Sequence, residues 1–532
     1  MSSTPDTSLN AARRDRELAE LRDGATVDLL VVGGGVTGAG VALDAASRGL
    51  SVALVERTDL AHGTSRFSSK LVHGGLRYLA SGDVALAHES ARERDILLRV
   101  TAPHLVRPLP MVLPLYEQTS VAQAAVLRAG LLAGDTLSAV AGTPARRLPR
   151  SRRLSRQETR RLVPGLRSPG LRGGLLFFEG QLVDDARLVV ALARTAAGHG
   201  ARILTRCAAE TLDAHGATIH DRYRDQRFRL RARAVVNAAG VYSQDLVPGV
   251  RLSPSRGSHL VLDRDGTGIA QAALMVPIPG TRNRFAFALP QHDGRLYTGI
   301  TDEPVSGPAP EVVDVPEADI RFLTDTLGSV LHSPPGRSEV RGAFAGLRPL
   351  LDGGTDSSAD LSRRHTIVTS PEGIVTVVGG KLTTYRRMAQ EAVDTVLATT
   401  GLSSGPCRTH RLPLVGAAPP DRLARLDAPR RLVRRYGTEA VRVRAEAAAE
   451  AEAAQADPAA PRLDTGADVD PHTEVAAGVT MAELRFAVRH EGALDTADLL
   501  ERRTRIALVA EDRVRALPAA RQALSAAGLA SR

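Results

Sequence analysis

The chain has 532 residues, of which 43% are hydrophobic and 24% are charged. This length predicts roughly three domains with a large core, and the composition is that of an ordinary globular protein, so a peptide-sized binder and a disordered chain are excluded. Lysine and arginine outnumber aspartate and glutamate by 69 to 59, which gives a formal net charge of +10. Such a charge favours anionic partners: phosphorylated metabolites, nucleic acid or anionic lipid surfaces.

The number of cysteines and the N-terminal segment indicate the cellular compartment in which the protein is expected. The chain contains two cysteines, Cys207 and Cys407, too few for a disulfide framework or a four-ligand zinc site. The N-terminus lacks an apolar core of signal-peptide length, and no run of about 18 residues is free of charges and turn formers. We therefore expect a cytoplasmic protein in a reducing environment, with no membrane span.

The basic residues are divided very unevenly between the two types. Only Lys70 and Lys381 are lysines, and the remaining 67 basic residues are arginines. Arginine replaces lysine readily on a solvated surface but not at a crowded site that needs a compact ammonium group. The two lysines are therefore candidates for chemistry, although chance survival on the surface is the alternative explanation.

A glycine-rich turn follows the first predicted strand, an apolar run at residues 27–32. Gly33, Gly35 and Gly38 fit the G-x-G-x-x-G pattern and precede a helix of small residues. The first glycine permits the tight turn, the second lets backbone N–H groups approach a pyrophosphate, and the third allows close helix–strand packing. A second predicted strand ends at Glu56, whose carboxylate suits the two hydroxyls of an adenosine ribose. The pattern predicts a dinucleotide site, for either NAD or FAD.

The segment that follows favours FAD over NAD. An ordinary dinucleotide-binding dehydrogenase would continue with another helix–strand crossover, but residues 58–79 are rich in hydroxyls, glycines and basic groups, with regularly spaced leucines. We interpret this segment as a second wrap around a long cofactor, with hydroxyls and backbone amides that bind pyrophosphate, ribityl or ring oxygens. A polar surface loop is the alternative interpretation.

On these motifs the sequence resembles the FAD-dependent glycerol-3-phosphate dehydrogenases, a family with the D-amino-acid-oxidase-like flavoprotein fold. The resemblance spans roughly residues 25–515 and includes a helical tail at 489–508. The motifs that carry it are VVGGGVTGAGVALDAASRGLSVALVE, TSRFSSKLVHGGLRYL, LVDDARL, VNAAG, RGSH, TGITD, AGLRPL and GGKLTTYR.

The resemblance implies an α/β protein with an FAD-binding Rossmann-like domain of the glutathione-reductase and D-amino-acid-oxidase type, a β-rich substrate cap and a C-terminal helical domain. We expect a discontinuous FAD-binding domain over residues 25–400 and the helical domain over 405–532. The inserted parts are a helical, basic insertion at about 100–170 and a β-rich cap at 205–233 and 255–340. Cofactor contacts are assigned to Gly33, Gly35, Gly38, Glu56, Thr64, Ser65, Ser68, Lys70, His73, Gly74, Gly75, Leu76, Gly240, Gly380, Lys381, Leu382 and Thr383.

The implied reaction is oxidation of sn-glycerol 3-phosphate to dihydroxyacetone phosphate, with hydride transfer to FAD and electrons passed to a quinone. Catalytic roles are assigned to His259 as proton acceptor and to Arg348 as a stabiliser of the alkoxide and phosphate charges. A buried structural role for His259 is an equally open interpretation. The substrate-binding residues implied by position are Arg77, Tyr78, His259, Arg348, Arg363 and Lys381. The sequence Arg363-Arg364-His365 departs from the family pattern, so either arginine is a candidate for the pocket.

An apolar stretch at residues 119–142 precedes eight arginines between Arg146 and Arg161. This pattern suits docking on the anionic inner face of the cell membrane, and a helix buried against its own domain is the alternative. The implied partners are sn-glycerol 3-phosphate, a quinone and an anionic membrane surface in peripheral contact; a homodimer is compatible with the sequence.

Other functions stay open at this point. They are an oxidase that passes electrons from the same substrate to oxygen, a related flavin-dependent oxidoreductase of 2-hydroxy acids or amino acids, and a basic nucleic-acid-associated protein. The low aromatic content of 3%, with no tryptophan, argues against base stacking and hence against the nucleic-acid interpretation.

Overall fold

The computed structural model describes residues 6–75, 83–278, 281, 284–352, 364–446 and 473–529. Most strands lie in two sheets, one of eight strands and one of ten. The strands are β1 Thr26–Val32, β2 Val52–Val55, β3 Leu71–Val72, β4 Val106–Tyr116, β5 Arg152–Ser155, β6 Leu171–Leu182, β7 Arg202–Leu204, β8 Cys207–Asp213, β9 Gly216–Asp221, β10 Gln226–Asn237, β11 Ser255–Asp263, β12 Ala273–Pro277, β13 Phe285–Pro290, β14 Arg295–Gly299, β15 Glu303–Pro304, β16 Val340–Arg348, β17 His365–Thr369, β18 Val375–Gly379, β19 Glu474–Ala476 and β20 Val479–Thr480.

The α-helices connect and cover these strands. They are α1 Ala11–Arg22, α2 Val36–Ser47, α3 Val84–Ile96, α4 Val121–Val140, α5 Arg156–Leu162, α6 Asp185–Gly198, α7 Ser243–Leu246, α8 Glu317–Gly328, α9 Tyr385–Thr400, α10 Pro420–Ala424, α11 Arg430–Tyr436, α12 Met481–His490 and α13 Ala510–Ser525. Short 3₁₀ turns at Thr64–Arg66, Gly240–Tyr242 and Leu382–Thr384 lie at predicted cofactor segments.

The eight-stranded sheet is the nucleotide sheet, with the order β17-β18-β10-β1-β2-β7. Strand β1 pairs in parallel with β10 and β2, and β10 pairs in parallel with β18. The apolar sequence of β1 suits a central parallel strand that is covered on both faces. Leu29 and Val31 pack in the cluster formed with α2, α6 and α9, whereas Leu30 packs in the opposite cluster, which includes Leu18 and Leu21 of α1. Strand β1 is thus fixed on both faces and ends at Val32, directly before the glycine turn.

The ten-stranded sheet lies mostly in the inserted parts of the chain, in the order β15-β11-β14-β13-β12-β4-β6-β3. Strand β16 pairs with β11, and β5 pairs with β6. Two of the predicted cofactor and substrate segments enter this sheet directly, because β3 precedes His73 and β11 contains His259. The sheet therefore connects the second cofactor segment with the predicted substrate side.

The structure differs from the predicted cap at residues 205–233. Strands β8, β9 and β10 pair in an antiparallel series that belongs to the nucleotide sheet, because β10 continues into its parallel pairing with β1. Alternating apolar and polar residues predict strands, but they do not specify the sheet that a strand joins. The β-rich cap is therefore built without this segment.

The predicted insertion at about 100–170 is only partly helical. It contains α4 and α5, but β4 and the short β5 are strands of the ten-stranded sheet. Strand β4 contains Pro108, Pro110 and Pro114, which disfavour a helix, and it pairs over its whole length with β6. The basic segment lies around β5 and α5.

Buried ion pairs join the C-terminal helical region to the nucleotide domain. Asp59, three residues after Glu56, accepts hydrogen bonds from Arg502 and Arg503, and all three side chains are buried. Arg187 of α6 pairs with Glu491 in the same way. Because an unpaired charge at such a site would be very unfavourable, the two regions fold against each other with matched charges.

Candidate functional site

The glycine turn after β1 is shaped by close backbone approach. Gly33 has a φ of +111°, and a Cβ atom there would lie 2.6 Å from the carbonyl oxygen of Ala238. A Cβ atom at Gly38 would clash with the carbonyl oxygen of Gly33. Helix α2 begins directly after Gly35, which provides no side-chain cap. Its N-terminal turn can therefore present backbone N–H groups to an anion.

Glu56 lies at the end of β2, against the same turn. Its Oε2 atom accepts a 2.7 Å hydrogen bond from the Gly34 N–H group, and Oε1 accepts one of 2.8 Å from Thr58. Burial raises the pKa of this carboxyl group, although the two N–H donors act in the opposite direction. Two buried polar atoms beside it, Arg57 Nη2 and Thr58 Oγ1, have no hydrogen-bond partner among the described residues. A glycine cradle, an acidic strand end and unsatisfied polar atoms fit the ADP half of FAD.

The segment after β2 contacts the N-terminus of α2. Ser65 Oγ accepts a 2.9 Å hydrogen bond from the Val36 N–H group. The hydroxyl group of Thr64 donates to the Leu347 carbonyl oxygen at 2.6 Å, and Ser68 Oγ accepts from the Lys70 N–H group at 3.0 Å. Ser65 therefore lies at the dinucleotide turn, whereas Thr64 and Ser68 stabilise the segment itself.

Lys70 is a predicted cofactor contact, but the structure places its ammonium group elsewhere. Nζ lies 3.0 Å from Asp185 Oδ2 and donates to the Arg66 carbonyl oxygen at 2.7 Å, and the side chain is completely buried. The ring centroid of Phe344 lies 4.7 Å from Nζ. The lysine is therefore a structural cation inside the protein, which its sequence motif does not reveal.

His73 and Thr383 bring two distant motifs together. The His73 N–H group donates to Thr383 Oγ1 at 3.2 Å, and the half-buried imidazole ring lies 6.1 Å from the ring of Phe287. Gly74 and Gly75 follow directly. The Gly74 N–H group, which we expected to be available to the cofactor, donates instead to Glu179 Oε2 at 2.8 Å.

The GGKL segment, residues 379–382, directly precedes Thr383, which contacts His73. Gly380 has a φ of +76°, and a Cβ atom there would meet the side chain of Met388. Lys381 is half-buried and donates to Ser90 Oγ at 3.1 Å, and Leu382 begins the 3₁₀ turn that leads into α9. Gly240, with a φ of +61°, begins another 3₁₀ turn after β10, where no atom of the described residues would obstruct a Cβ.

His259 is enclosed within the ten-stranded sheet. Its ring stacks on Phe344 at 4.8 Å, and Nε2 lies 2.8 Å from Ser69 Oγ. Burial, with help from Lys70 and Arg348, lowers the pKa of this imidazole well below its usual value. The group is therefore held neutral and closed to solvent, which favours the buried structural interpretation over that of a proton acceptor.

Arg348 ends β16 and is held by the neighbouring loop. Its guanidinium group donates to Asp302 Oδ1 at 2.9 Å, to Ser255 Oγ at 3.1 Å and to the Thr301 carbonyl oxygen at 2.9 Å. A Cβ atom at Gly257 would clash with it, so that glycine leaves room for the arginine. Part of the side chain is exposed.

Several predicted residues lie outside the described residues: Leu76, Arg77, Tyr78 and Arg363. The alternative candidate, Arg364, is largely exposed and forms three hydrogen bonds with the carboxylate of Asp83.

Two carboxylates that support these segments were not predicted from the sequence. Asp185 binds Lys70 and the Ser68 N–H group, and Glu179 binds Gly74 and Arg94. The sequence does contain a sign of both carboxylates. Glu179 interrupts the largely apolar sequence of β6, and Asp185 comes shortly after the end of that strand. A carboxylate in such a position requires a buried partner.

Comparisons with known proteins agree over almost the whole chain. The family model described as FAD dependent oxidoreductase matches residues 28–386, and the model described as C-terminal domain of alpha-glycerophosphate oxidase matches residues 407–527. Glycerol-3-phosphate dehydrogenase 1 of Mycobacterium tuberculosis is 49% identical over 524 residues, with 97% of this chain and 98% of that protein covered. Aerobic glycerol-3-phosphate dehydrogenase of Staphylococcus aureus is 35% identical, with 73% of this chain and 71% of that protein covered.

A solved structure agrees with the fold. The glycerol-3-phosphate dehydrogenase from Bacillus halodurans complexed with FAD superposes with a TM-score of 0.74, at 27% identity, and the match covers 97% of this chain and 94% of that one. The residues at the glycine turn and at Glu56 fit the same cofactor. The chain belongs to the family of FAD-dependent glycerol-3-phosphate dehydrogenases.

Proposed function

We propose that this protein oxidises sn-glycerol 3-phosphate to dihydroxyacetone phosphate and passes the electrons to a quinone. The observation that carries the proposal is the similarity at 49% identity, over nearly the full length of both chains, to a protein named glycerol-3-phosphate dehydrogenase 1. The reaction removes a hydride from carbon 2 and a proton from its hydroxyl group. FAD supplies the two-electron acceptor when it is bound.

Cationic side chains support a phosphorylated substrate. Lys381 lies in the GGKL segment and Arg348 at the end of β16, and both are half-buried. A phosphate dianion needs several cations if it is to be bound selectively, and the planar fork of Arg348 suits two phosphate oxygens. Asp302, which pairs with Arg348, holds the guanidinium group in one orientation. We propose that these two cationic residues bind the phosphate and the developing alkoxide.

We assign the role of proton acceptor to His73 in place of His259. The imidazole of His73 is half-buried and lies where the SSKLVHGG and GGKLTT segments meet. His259, by contrast, has its Nε2 atom 2.8 Å from Ser69 Oγ, and the pKa of its imidazole is lowered by burial and, to a smaller extent, by Lys70 and Arg348. A general base needs direct access to the hydroxyl group that it deprotonates, and His73 satisfies this requirement better.

The surface around α4 supports an acceptor in the membrane. Every exposed residue of α4 is uncharged, and Val121, Val126 and Val140 are 79, 71 and 68% exposed. The two charged residues of the helix, Arg128 and Asp135, both bind Ser151. Seven exposed arginines follow the helix along the chain: Arg146, Arg147, Arg152, Arg153, Arg156, Arg160 and Arg161. No helix in the described ranges is long and apolar enough to cross a bilayer.

An apolar helix face beside a cluster of cations suits peripheral docking on anionic lipids. We propose that α4 and the surrounding arginines bind the inner face of the cell membrane, where a quinone can take up the electrons.

The experiment that tests the function is reduction of the bound flavin. The purified protein should be yellow, and its flavin absorbance should bleach anaerobically with sn-glycerol 3-phosphate but not with glycerol. Bleaching by an amino acid or a 2-hydroxy acid instead would contradict the proposal, as would a colourless protein that binds no added FAD. Rapid peroxide formation without an added quinone would identify the oxygen-using oxidase.

A further inference from the structure

One buried guanidinium group joins three elements around the turn that contains His73. Arg94 of α3 donates from Nη1 to Glu179 Oε2 of β6 at 2.8 Å, and from Nη2 to Ser138 Oγ of α4 at 2.7 Å. The same Oε2 atom of Glu179 accepts the Gly74 N–H group at 2.8 Å. All three side chains are less than 5% exposed. The ion pair is therefore shielded from water, and the Coulomb attraction between its two charges is less screened than in a surface pair.

The turn is packed directly against α3. A Cβ atom at Gly74 would clash with the guanidinium group of Arg94, and one at Gly75 would lie 2.8 Å from the Cα atom of Ala87. Gly75 has a φ of +86°. The turn therefore lies in direct contact with the guanidinium group of Arg94, which is itself held by Glu179 and Ser138.

The ion pair acts on the site through the backbone. His73 immediately precedes Gly74, and its own N–H group binds Thr383 of the opposite segment. A shift of the Gly74 N–H group relative to Glu179 would therefore move the imidazole relative to the GGKL segment. Small displacements of a catalytic group are costly, because proton and hydride transfer depend on close alignment.

We propose that Arg94 and Glu179 are positioning residues, which fix the His73–Gly75 turn and thereby set the rate of flavin reduction without contacting the reacting atoms. This inference rests on the proposed function and on the role given there to His73. It adds two buried residues, on α3 and β6, whose effect on the reaction passes through the Gly74 N–H group.

The test uses the full-length, FAD-loaded protein and stopped-flow measurement of flavin reduction by sn-glycerol 3-phosphate. Arg94→Met removes the charge but keeps an unbranched side chain, and we expect the rate at saturating substrate to fall by about tenfold to a hundredfold, the loss typical of a misplaced catalytic group. Substrate affinity should change by less than about threefold, since no phosphate ligand is removed. Glu179→Gln keeps one acceptor oxygen for Gly74, so its loss should be smaller, about threefold to tenfold.

Arg194→Met is the matched control. Arg194 of α6 is also buried and holds the carboxylate of Glu439 with two hydrogen bonds of 2.6 and 2.8 Å, away from the His73–Gly75 turn. We expect a similar loss of thermal stability and a rate within about twofold of the parent. A merely structural role for Arg94 would make both arginine variants behave alike.

A parent-like rate in Arg94→Met with full flavin occupancy would overturn the proposal. If Arg94→Met does not accumulate as a flavoprotein, Glu179→Gln decides, and a parent-like rate in that variant would overturn it. Failure of the proposed function is distinct, because the parent protein itself would then not bleach with this substrate.

Discussion

Lys70 and Asp185 form an ion pair, with 3.0 Å between Nζ and Oδ2, and neither side chain has any solvent-exposed surface. The pair connects the segment before β3 to the first residue of α6. In a chain with 67 arginines and two lysines, this site explains why one lysine is retained, because a compact ammonium group fits between Asp185, the Arg66 carbonyl oxygen and the ring of Phe344.

We expect Lys70→Arg to lower the free energy of unfolding by about 1–3 kcal/mol, because the larger guanidinium group overpacks an enclosed site. Lys70→Met should cost more, about 3–5 kcal/mol, because it leaves Asp185 as a buried charge without its cation. Chemical denaturation of the FAD-loaded protein measures both. Arg227→Lys, at an exposed pair with Glu210, should change stability by less than about 0.5 kcal/mol. Equal effects of Lys70→Arg and Arg227→Lys would contradict the argument from crowding.

The nucleotide half of the fold could be predicted from the sequence because the residues that define it lie within a short stretch of the chain. The spacing of Gly33, Gly35, Gly38 and Glu56 predicted the strand, turn, helix and strand that the structure contains, and FAD is the cofactor of the family. A turn that admits only glycine, and a carboxylate at a strand end, are short-range requirements that a single sequence can display.

The site beyond that half depends on contacts between distant residues, which a single sequence does not reveal. Glu179 and Arg94 are 85 positions apart, and Ser69 and His259 are 190 apart. The first part of strand β10, residues 226–233, likewise has the alternating sequence that predicts a cap strand, and its pairing with β9 and β1 assigns it to the nucleotide sheet. The apolar residues 234–236 that follow predict a strand of the nucleotide sheet, and their pairing with β1 confirms this. The motif around His259 leaves a buried structural role open, and the contacts that enclose the ring come from β14, β16 and the segment before β3.

The glycine turn gives a prediction for cofactor affinity. A methyl group at Gly38 would clash with the Gly33 carbonyl oxygen, which belongs to the backbone and has little freedom to move. Gly38→Ala should therefore weaken FAD binding by about 5- to 150-fold, equivalent to about 1–3 kcal/mol of overpacking. Titration of the apoprotein with FAD, followed by flavin fluorescence, measures this change. Gly130→Ala is the control, since a Cβ atom at Gly130 in α4 has no atom of the described residues within 4 Å; FAD affinity equal to the parent's in both variants would refute the close-approach argument.

Three histidines with lowered pKa values should make the free energy of unfolding decrease in acid. Burial lowers the pKa of His104 to about 3, with a smaller contribution from Arg187, and lowers that of His292 to about 3 and that of His62 to about 4. In the unfolded chain these histidines take up a proton near pH 6.5, whereas in the folded protein they do so only near their lowered pKa values. The free energy of unfolding is therefore fully retained above pH 6.5 and decreases as the pH falls from 6.5 towards those pKa values. Each such histidine contributes a slope of up to about 1.4 kcal/mol per pH unit.

The measurement is the pH dependence of the free energy of unfolding between pH 7.5 and 5. We expect His104→Gln to reduce its slope in acid by about one proton, because a glutamine side chain has no group that titrates there. His215→Gln provides the control, since His215 is an exposed loop residue. An unchanged slope in His104→Gln would mean that the folded protein protonates His104 as readily as the unfolded chain does.

The exposed face of α4 gives the last prediction, for membrane association. Val126→Glu combined with Leu132→Glu places two carboxylates on a face that has no charge, and both positions are exposed, at 71 and 48%. We expect at least about tenfold weaker binding to vesicles that contain anionic lipid, since apolar burial is lost and each carboxylate is repelled by the surface. Vesicle sedimentation measures the binding, and the flavin reduction rate should stay unchanged. Val312→Glu, at a valine that is 75% exposed away from α4, should bind as the parent does. Equal binding by the double variant and the parent would place the docking surface elsewhere, and binding that is insensitive to salt and lipid charge would argue against the arginines beside α4.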